Sequence, residues 1–343
     1  MNAVDIDDAN SDGADTPPPY LAYLQLVRLP NVFTAMADVL MGYLFTHDAL
    51  DPAPVVGCLL ASSALLYMAG MVLNDVFDFE IDAQERPNRP LPSGRVSRKT
   101  ATLLGFVMLF GGVILGYVAS ALAKDARCGI VAALLAAAVV GYDRFLKRTP
   151  LGPLSMGFCR SLNVLLGMST AVAADPQTGD FISAAWTHLH FLVAVGVGVY
   201  IVGVTWFARK EAEMSKPVQL ALGTLVMWGG MGLLAGLWYW NDDPSLTGLQ
   251  RMAWYQWFLF WTMLVLGTSW RCWRAVADPR PEYVQAAVRY AIISLIVLDA
   301  AVCVASRGMF PLPGVPGPMI PWPMLIFALL IPTMTLGRWL YAT

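Results

Sequence analysis

Apolar stretches of about twenty residues recur along the whole of this 343-residue chain, with short polar breaks between them. That recurrence limits what it can fold into, because a helix needs about 20 mainly apolar residues to cross a bilayer. By this ruler, spans fall near 24–46, 53–76, 100–122, 127–146, 153–174, 186–208, 217–240, 253–273, 284–306 and 319–341. Backbone groups in lipid must bond internally, so the spans are helices or a closed barrel, and runs this long without period-two alternation predict helices. Composition agrees: 57% of residues are hydrophobic and 13% charged, against roughly a quarter charged in soluble domains. The expectation is one all-α integral membrane domain, a bundle of nine transmembrane helices with a tenth at the C-terminal end. Nucleic acid is not an expected partner of such a chain.

Residues 1–19 carry Asp5, Asp7, Asp8, Asp12 and Asp15, no base, and the run Pro17–Pro18–Pro19. A signal peptide would begin basic and a transit peptide would be poor in acids, so this segment reads as a disordered cytoplasmic tail. Lys and Arg accumulate in short cytoplasmic loops. Here they gather after the second span (Arg86, Arg89, Arg95, Arg98, Lys99), the fourth (Arg144, Lys147, Arg148), the sixth (Arg209, Lys210, Lys216) and the eighth (Arg271, Arg274, Arg280). The N-terminus is therefore expected in the cytoplasm, in a bacterial inner membrane. Cys58, Cys128, Cys159, Cys272 and Cys303 show no ligand or redox spacing and read as packing residues. Gly112 with Gly116, and Gly232 with Gly236, have the small-xxx-small spacing of closely packed membrane helices.

The second span runs directly into Leu73–Asn74–Asp75–Val76–Phe77–Asp78–Phe79–Glu80–Ile81–Asp82. If the helix continues until Pro87 stops it, offsets of three and four put Asp75, Asp78 and Asp82 on one face, with Asn74 one turn below Asp78. Like charges so placed, next to low-dielectric lipid, call for a cation. Magnesium suits them, because it takes oxygen ligands and bridges one or two carboxylates to substrate phosphates. A solvated helix end facing the cytosol is the alternative. Arg86–Pro87–Asn88–Arg89–Pro90–Leu91–Pro92–Ser93–Gly94–Arg95 follows, a stiff basic loop placed to close over a diphosphate or to bind anionic lipid head groups.

This combination resembles the UbiA superfamily of intramembrane prenyltransferases, whose first signature is an Asn-Asp-x-x-Asp-x-x-x-Asp run at the end of the second helix. Asn74, Asp75, Asp78 and Asp82 complete it, followed by RPNRPLPSGRVS. Arg28–Leu29–Pro30–Asn31 is similar to the family's Arg/Asn motif in the first span, and Tyr142–Asp143–Arg144–Phe145–Leu146–Lys147 to its Tyr…Lys element. The resemblance covers about 20–306, which divides the chain into a tail at 1–19, a UbiA-like domain at 20–306 and a C-terminal connector with helix at 307–343. The second acid-rich signature departs from the family pattern: the segment after the sixth span reads Val202–Gly203–Val204–Thr205–Trp206–Phe207–Ala208–Arg209–Lys210–Glu211–Ala212–Glu213. Val202 and Arg209 stand where the leading aspartates are expected, leaving Glu211 and Glu213 as candidate ligands or as ordinary loop charges. This segment, the run Leu151–Asn163 and the terminal RWLYAT are similar to the EboC-like subgroup, tied to making or exporting a secondary metabolite.

The resemblance implies Mg2+-dependent transfer of a prenyl group from a prenyl diphosphate to an aromatic or other lipophilic acceptor, with membrane lipid around the bundle. It implies Asn74, Asp75, Asp78 and Asp82, with Glu211 and Glu213, as metal ligands. Asp75, Asp78, Lys147 and Arg160 would be catalytic, and Arg28, Asn31, Arg86, Lys147, Arg160 and Asn163 would bind substrate. Tyr67, Phe77, Tyr142 and Trp206 would either face a carbocation or simply pack. Ionisable groups at membrane depth are costly and invite a functional reading. Arg160 and Asn163 would touch phosphate or acceptor, or clamp two helices; Asp38 and Asp299 suit helix pairing; Asp143 suits a base toward the acceptor or a salt bridge. The alternative function is a non-catalytic UbiA-like transporter or scaffold for an amphipathic metabolite.

Overall fold

The computed structural model describes residues 18–170, 186–209, 214–309 and 321–341. It is helical throughout: α1 (Pro19–Leu26), α2 (Leu29–Thr46), α3 (Ala53–Phe77), α4 (Phe79–Glu85), α5 (Arg98–Ala123), α6 (Arg127–Gly141) and α7 (Gly152–Gly167) form the first half. The second half holds α8 (His188–Ala208), α9 (Pro217–Ala235), α10 (Trp254–Ala277), α11 (Pro281–Arg307), α12 (Trp322–Ala328) and α13 (Leu330–Tyr341). Contacts run from α2 to α3, then to α5, α6, α7, α8, α9, α10 and α11, and α11 packs back on α2, which closes a ring. Across it, α2 meets α7, α3 meets α6, and α8 meets α11, while α12 and α13 lie against α2 and α11. The chain is thus an integral multi-pass membrane protein. Its outward faces carry exposed apolar residues such as Leu103, Phe110 and Ile114 on α5 and Leu222 and Leu225 on α9, as lipid contact requires.

Among the described residues, seven helical segments are long and apolar enough to cross a membrane. The expected spans at 24–46, 153–174 and 253–273 correspond to α2, α7 and α10, which fall outside that set. α7 has 16 residues and includes Arg160 and Asn163; α10 has 24, is rich in Trp, and carries Arg271 and Arg274 toward its end. The count of ten rests, for these three, on the sequence.

Two expected continuous helices are broken. The first span divides at Arg28, whose φ of 48° and ψ of 49° lie in the left-handed region. Pro30 explains the break: inside a continuous helix its ring would strike the carbonyl four residues back, whereas at the start of α2 its missing N–H costs nothing. The helix expected to run from α3 to Pro87 is interrupted at Asp78, which has φ −92° and ψ 5° and serves as C-cap of α3 and N-cap of α4.

Close approach of backbones sets the depth of the interior. A Cβ on Gly42 would come 2.6 Å from the Val164 carbonyl oxygen, and one on Gly167 would come 2.8 Å from Val39 Cα, so glycine is what lets α2 and α7 touch. Gly112 on α5 likewise sits 2.7 Å, measured from an added Cβ, from Leu66 Cγ of α3. Gly232 and Gly236, expected to do the same, have nothing within 4 Å; the α8–α9 contact is made instead through Gly203 and Gly223.

Candidate active site

The basic loop after α4 is a lid built on hydrophobic anchors. Leu91 and Val96 are 3% and 2% exposed and pack with Ala22, Leu26, Val27, Val72, Val76 and Ala101, drawing residues 86–97 over the ends of α1, α3 and α5. Gly94 takes φ 75° to complete the turn, a conformation that glycine adopts without steric cost. Arg95 is used structurally, donating to the Gln25 side-chain oxygen at 3.1 Å and to the Asn88 carbonyl at 2.8 Å. Arg98 lies over the Phe79 ring at 5.0 Å and pairs with Glu80 at 3.6 Å.

Under this loop each acid of the first motif meets a cation. Asp75 Oδ1 is 3.2 Å from Arg28 Nη2 and 3.4 Å from Arg89 Nη1; the same Arg89 Nη1 is 2.6 Å from Asp82 Oδ2. Asp78 takes Lys147 Nζ on Oδ2 at 2.6 Å and Arg148 Nη2 on Oδ1 at 2.7 Å. Asn74 donates through Nδ2 to Asp143 Oδ1 at 2.9 Å. Four segments distant in sequence therefore converge: the α1–α2 break, the end of α3, the lid, and the end of α6. Arg28 is held there in a strained left-handed conformation, the kind of outlier that clusters at ligand sites.

One π-helical turn, Tyr142–Leu146, follows α6. Its wider winding, with Lys147 N–H donating to the Tyr142 carbonyl at 3.0 Å, buries Asp143 and brings Lys147 onto Asp78. Such turns inside α-helices frequently mark functional positions. Directly below lies a pocket lined by Tyr67, Gly70, Tyr142, Asp143, Arg160 and Asn163 among mainly apolar neighbours on α2, α3, α6 and α7.

Arg160 and Asn163 both line the pocket and clamp α7 to α2. Arg160 Nε is 2.6 Å from Asp38 Oδ2, its Nη2 donates to the Thr34 carbonyl at 2.8 Å, and Asn163 Nδ2 donates to Asp38 Oδ2 at 2.8 Å and to the Ala35 carbonyl at 2.9 Å. Ser63 of α3 donates to Asn163 Oδ1 at 2.7 Å. Asp38 and Asp299 are both 0% exposed. Helix pairing thus accounts for Asp38.

Other expected residues are peripheral. Asn31 is half-buried in the first turn of α2, its backbone N–H donating to the Arg28 carbonyl at 2.9 Å. Arg86 caps α4 through its backbone, and Arg89 carries the lid's charge to the acids. Tyr67 and Tyr142 face the pocket, whereas Phe77 lies under Arg144, 5.6 Å from its guanidinium carbon. Glu211 and Glu213 lie outside the described residues. Arg209, just before them, is exposed and donates to the Thr149 carbonyl at 3.0 Å, presenting a cation where the family pattern led us to expect an aspartate. Among the described residues no three His, Cys, Asp or Glu side chains are grouped as a metal cage.

A digeranylgeranylglyceryl phosphate synthase from Methanococcoides burtonii is 34% identical over 154 residues, 42% of this chain and 53% of the relative. The chain spans about half the length of such relatives, as also with the synthase of Metallosphaera sedula, where 55% is covered. A solved structure of a digeranylgeranylglyceryl phosphate synthase superposes with a TM-score of 0.56 at 21% identity, covering 84% of this chain and 99% of the other. A UbiA homologue from Archaeoglobus fulgidus bound to GPP and Mg2+ superposes at 0.52 and 15% identity, covering 82% and 99%. Residues 35–296 match the model of the UbiA prenyltransferase family, and with the acid-and-cation cluster set above an apolar pocket, the chain belongs to that family.

Proposed function

We propose that this protein transfers a prenyl group from a prenyl diphosphate to a lipophilic acceptor inside the membrane, with Mg2+ at Asp75 and Asp82. The observation that carries the reading is the position of Arg89 Nη1, 3.4 Å and 2.6 Å from oxygens of these two acids. Two carboxylates converging on one positive group are a suitable mount for magnesium, which needs one or two carboxylates plus substrate phosphates and not an all-protein cage. Arg89 stands in for that cation. Asp78 and Asn74 flank the position, and the positive end of the bundle is assigned to the cytoplasm.

When bound, magnesium supplies charge neutralisation to the departing diphosphate. The chain's own cations do the remainder. Arg28, Lys147 and Arg148 surround the acids and are placed to hold diphosphate oxygens as charge develops on them, the kind of fixed electrostatic help that dominates such steps. Arg89, released from Asp75 and Asp82, closes the lid on the same oxygens. The prenyl chain lies in the apolar pocket, whose walls exclude water. Tyr67 and Tyr142 are the rings placed to face positive charge on the allylic carbon. Arg209, bound to the loop backbone, favours one bound ion over two.

The same feature supports a second reading, a UbiA-like protein that binds or moves an amphipathic metabolite without transfer, as the EboC-like resemblance suggests. The deciding experiment incubates the full chain in nanodiscs with Mg2+, membrane lipid extract and donors from C10 to C50. Diphosphate release matched by a prenylated lipid in mass spectra supports transfer. Absence of release with every donor rejects it, and bound but unchanged donor favours the second reading.

A further inference from the structure

Asp143 has one carboxylate oxygen committed and one open. Oδ1 accepts from Asn74 Nδ2 at 2.9 Å, while Oδ2, in a residue 4% exposed, has no hydrogen-bond partner among the described residues. Oδ2 points toward Gly70, where an added Cβ would lie 3.9 Å away, and both residues line the pocket. An acceptor oxygen buried without a donor is unfavourable, and such a group in a native structure calls for an explanation.

Two other polar side chains of the wall, Arg160 and Asn163, are already occupied. Arg160 has its charge balanced by Asp38 at 2.6 Å and donates to the Thr34 carbonyl. Asn163 donates to Ala35 and Asp38 and accepts from Ser63. Asp143 is the one acidic residue in the pocket wall. A ligand that completes this wall brings an O–H to Oδ2. An anionic group there would meet an acid at close range in a low-dielectric setting, with the nearby guanidinium already neutralised.

Resting on the prenyl-transfer reading, we infer that Asp143 Oδ2 accepts a hydrogen bond from the hydroxyl of the acceptor, so that the pocket selects neutral alcohols or phenols over carboxylates and hydroxyl-free analogues. Asp143 lies in the π-helical turn that Lys147 caps, and Lys147 faces the diphosphate position through Asp78. A hydroxyl held by Oδ2 is therefore set beside the donor's reacting end, with its free lone pair directed into the pocket.

The test measures ligand-induced thermal stabilisation of the full chain in nanodiscs, without donor, using 4-octylphenol, its methyl ether and 4-octylbenzoate. The wild type should bind the phenol about ten-fold more tightly than either analogue, the worth of one buried hydrogen bond. Asp143→Asn keeps the shape; its amide oxygen stays on Asn74 Nδ2 and its NH2 turns to the pocket, so the phenol preference should fall to within about two-fold. Asp143→Leu should erase it as well. Equal binding of phenol and ether by the wild type, or a preference surviving in both variants, overturns the inference. Because no donor is present, the preference is read independently of prenyl transfer: transfer without it removes the inference alone, and the preference without transfer removes the reaction alone.

Discussion

Lys147 Nζ lies 2.6 Å from Asp78 Oδ2, a pair that ties the turn after α6 to the junction of α3 and α4. The side chains are 11% and 20% exposed, and Asp78 keeps a second cation, Arg148 at 2.7 Å, when Lys147 is removed. Lys147→Met should lower turnover with a prenyl diphosphate by about 10²-fold, as loss of a fixed charge at a developing anion does. Its melting temperature should stay close to that of the wild type. A variant that melts early and turns over normally per folded molecule would assign the pair a structural role.

Arg89 competes with the metal for Asp75 and Asp82. Arg89→Ala should bind Mn2+ several-fold more tightly than the wild type in the absence of donor, read by electron paramagnetic resonance, while turnover falls because the lid has lost its charge. Unchanged or weaker Mn2+ binding would show that Arg89 does not occupy the ion's place.

The clamp between α2 and α7 is a buried ion pair, and removing one partner leaves a charge without compensation. Arg160→Leu should destabilise the protein by about 3–5 kcal/mol. The double variant with Asp38→Asn should lose less than the sum of the single changes, because the two residues share one interaction. Thermal unfolding in detergent checks both; strict additivity would contradict the pairing.

Glycine contacts give a prediction independent of charge. Gly42→Leu would drive a side chain against the Val164 carbonyl and should cost about 1–3 kcal/mol as overpacking. Gly232→Ala, with nothing within 4 Å, should be close to neutral. Equal effects at the two positions would mean that the α2–α7 approach is not as tight as described.

The acids were legible in the sequence because short-range spacing carries them, and Arg28 and Lys147 because their segments resemble family motifs. Asn74, Asp75, Asp78 and Asp82 follow one another at helical offsets, and the two cations stand in motifs of their own. What decides their geometry was not legible. The break at Asp78 and the π-helical turn at Tyr142 are local departures that helical periodicity, which predicts an unbroken helix through each, does not carry. Arg86 and Arg89 lie in the same stiff loop, and spacing does not rank them; the contacts of Arg89 with Asp75 and Asp82 depend on how Leu91 and Val96 anchor that loop. Asp38 looked isolated because its partners, Arg160 and Asn163, belong to a helix far along the chain and reach it through Gly42 and Gly167. Spacing of glycines was an uneven guide: Gly112 packs closely, while Gly232 and Gly236 open onto nothing within 4 Å.

The most direct test is a structure of the full chain in nanodiscs with Mn2+ and a non-ionising thio analogue of a prenyl diphosphate. The account predicts an ion between Asp75 and Asp82, Arg89 displaced from that position onto the diphosphate, and Arg28, Lys147 and Arg148 in contact with its oxygens. An analogue seated in the pocket while Arg89 still bridges the two acids, with no ion between them, would contradict it.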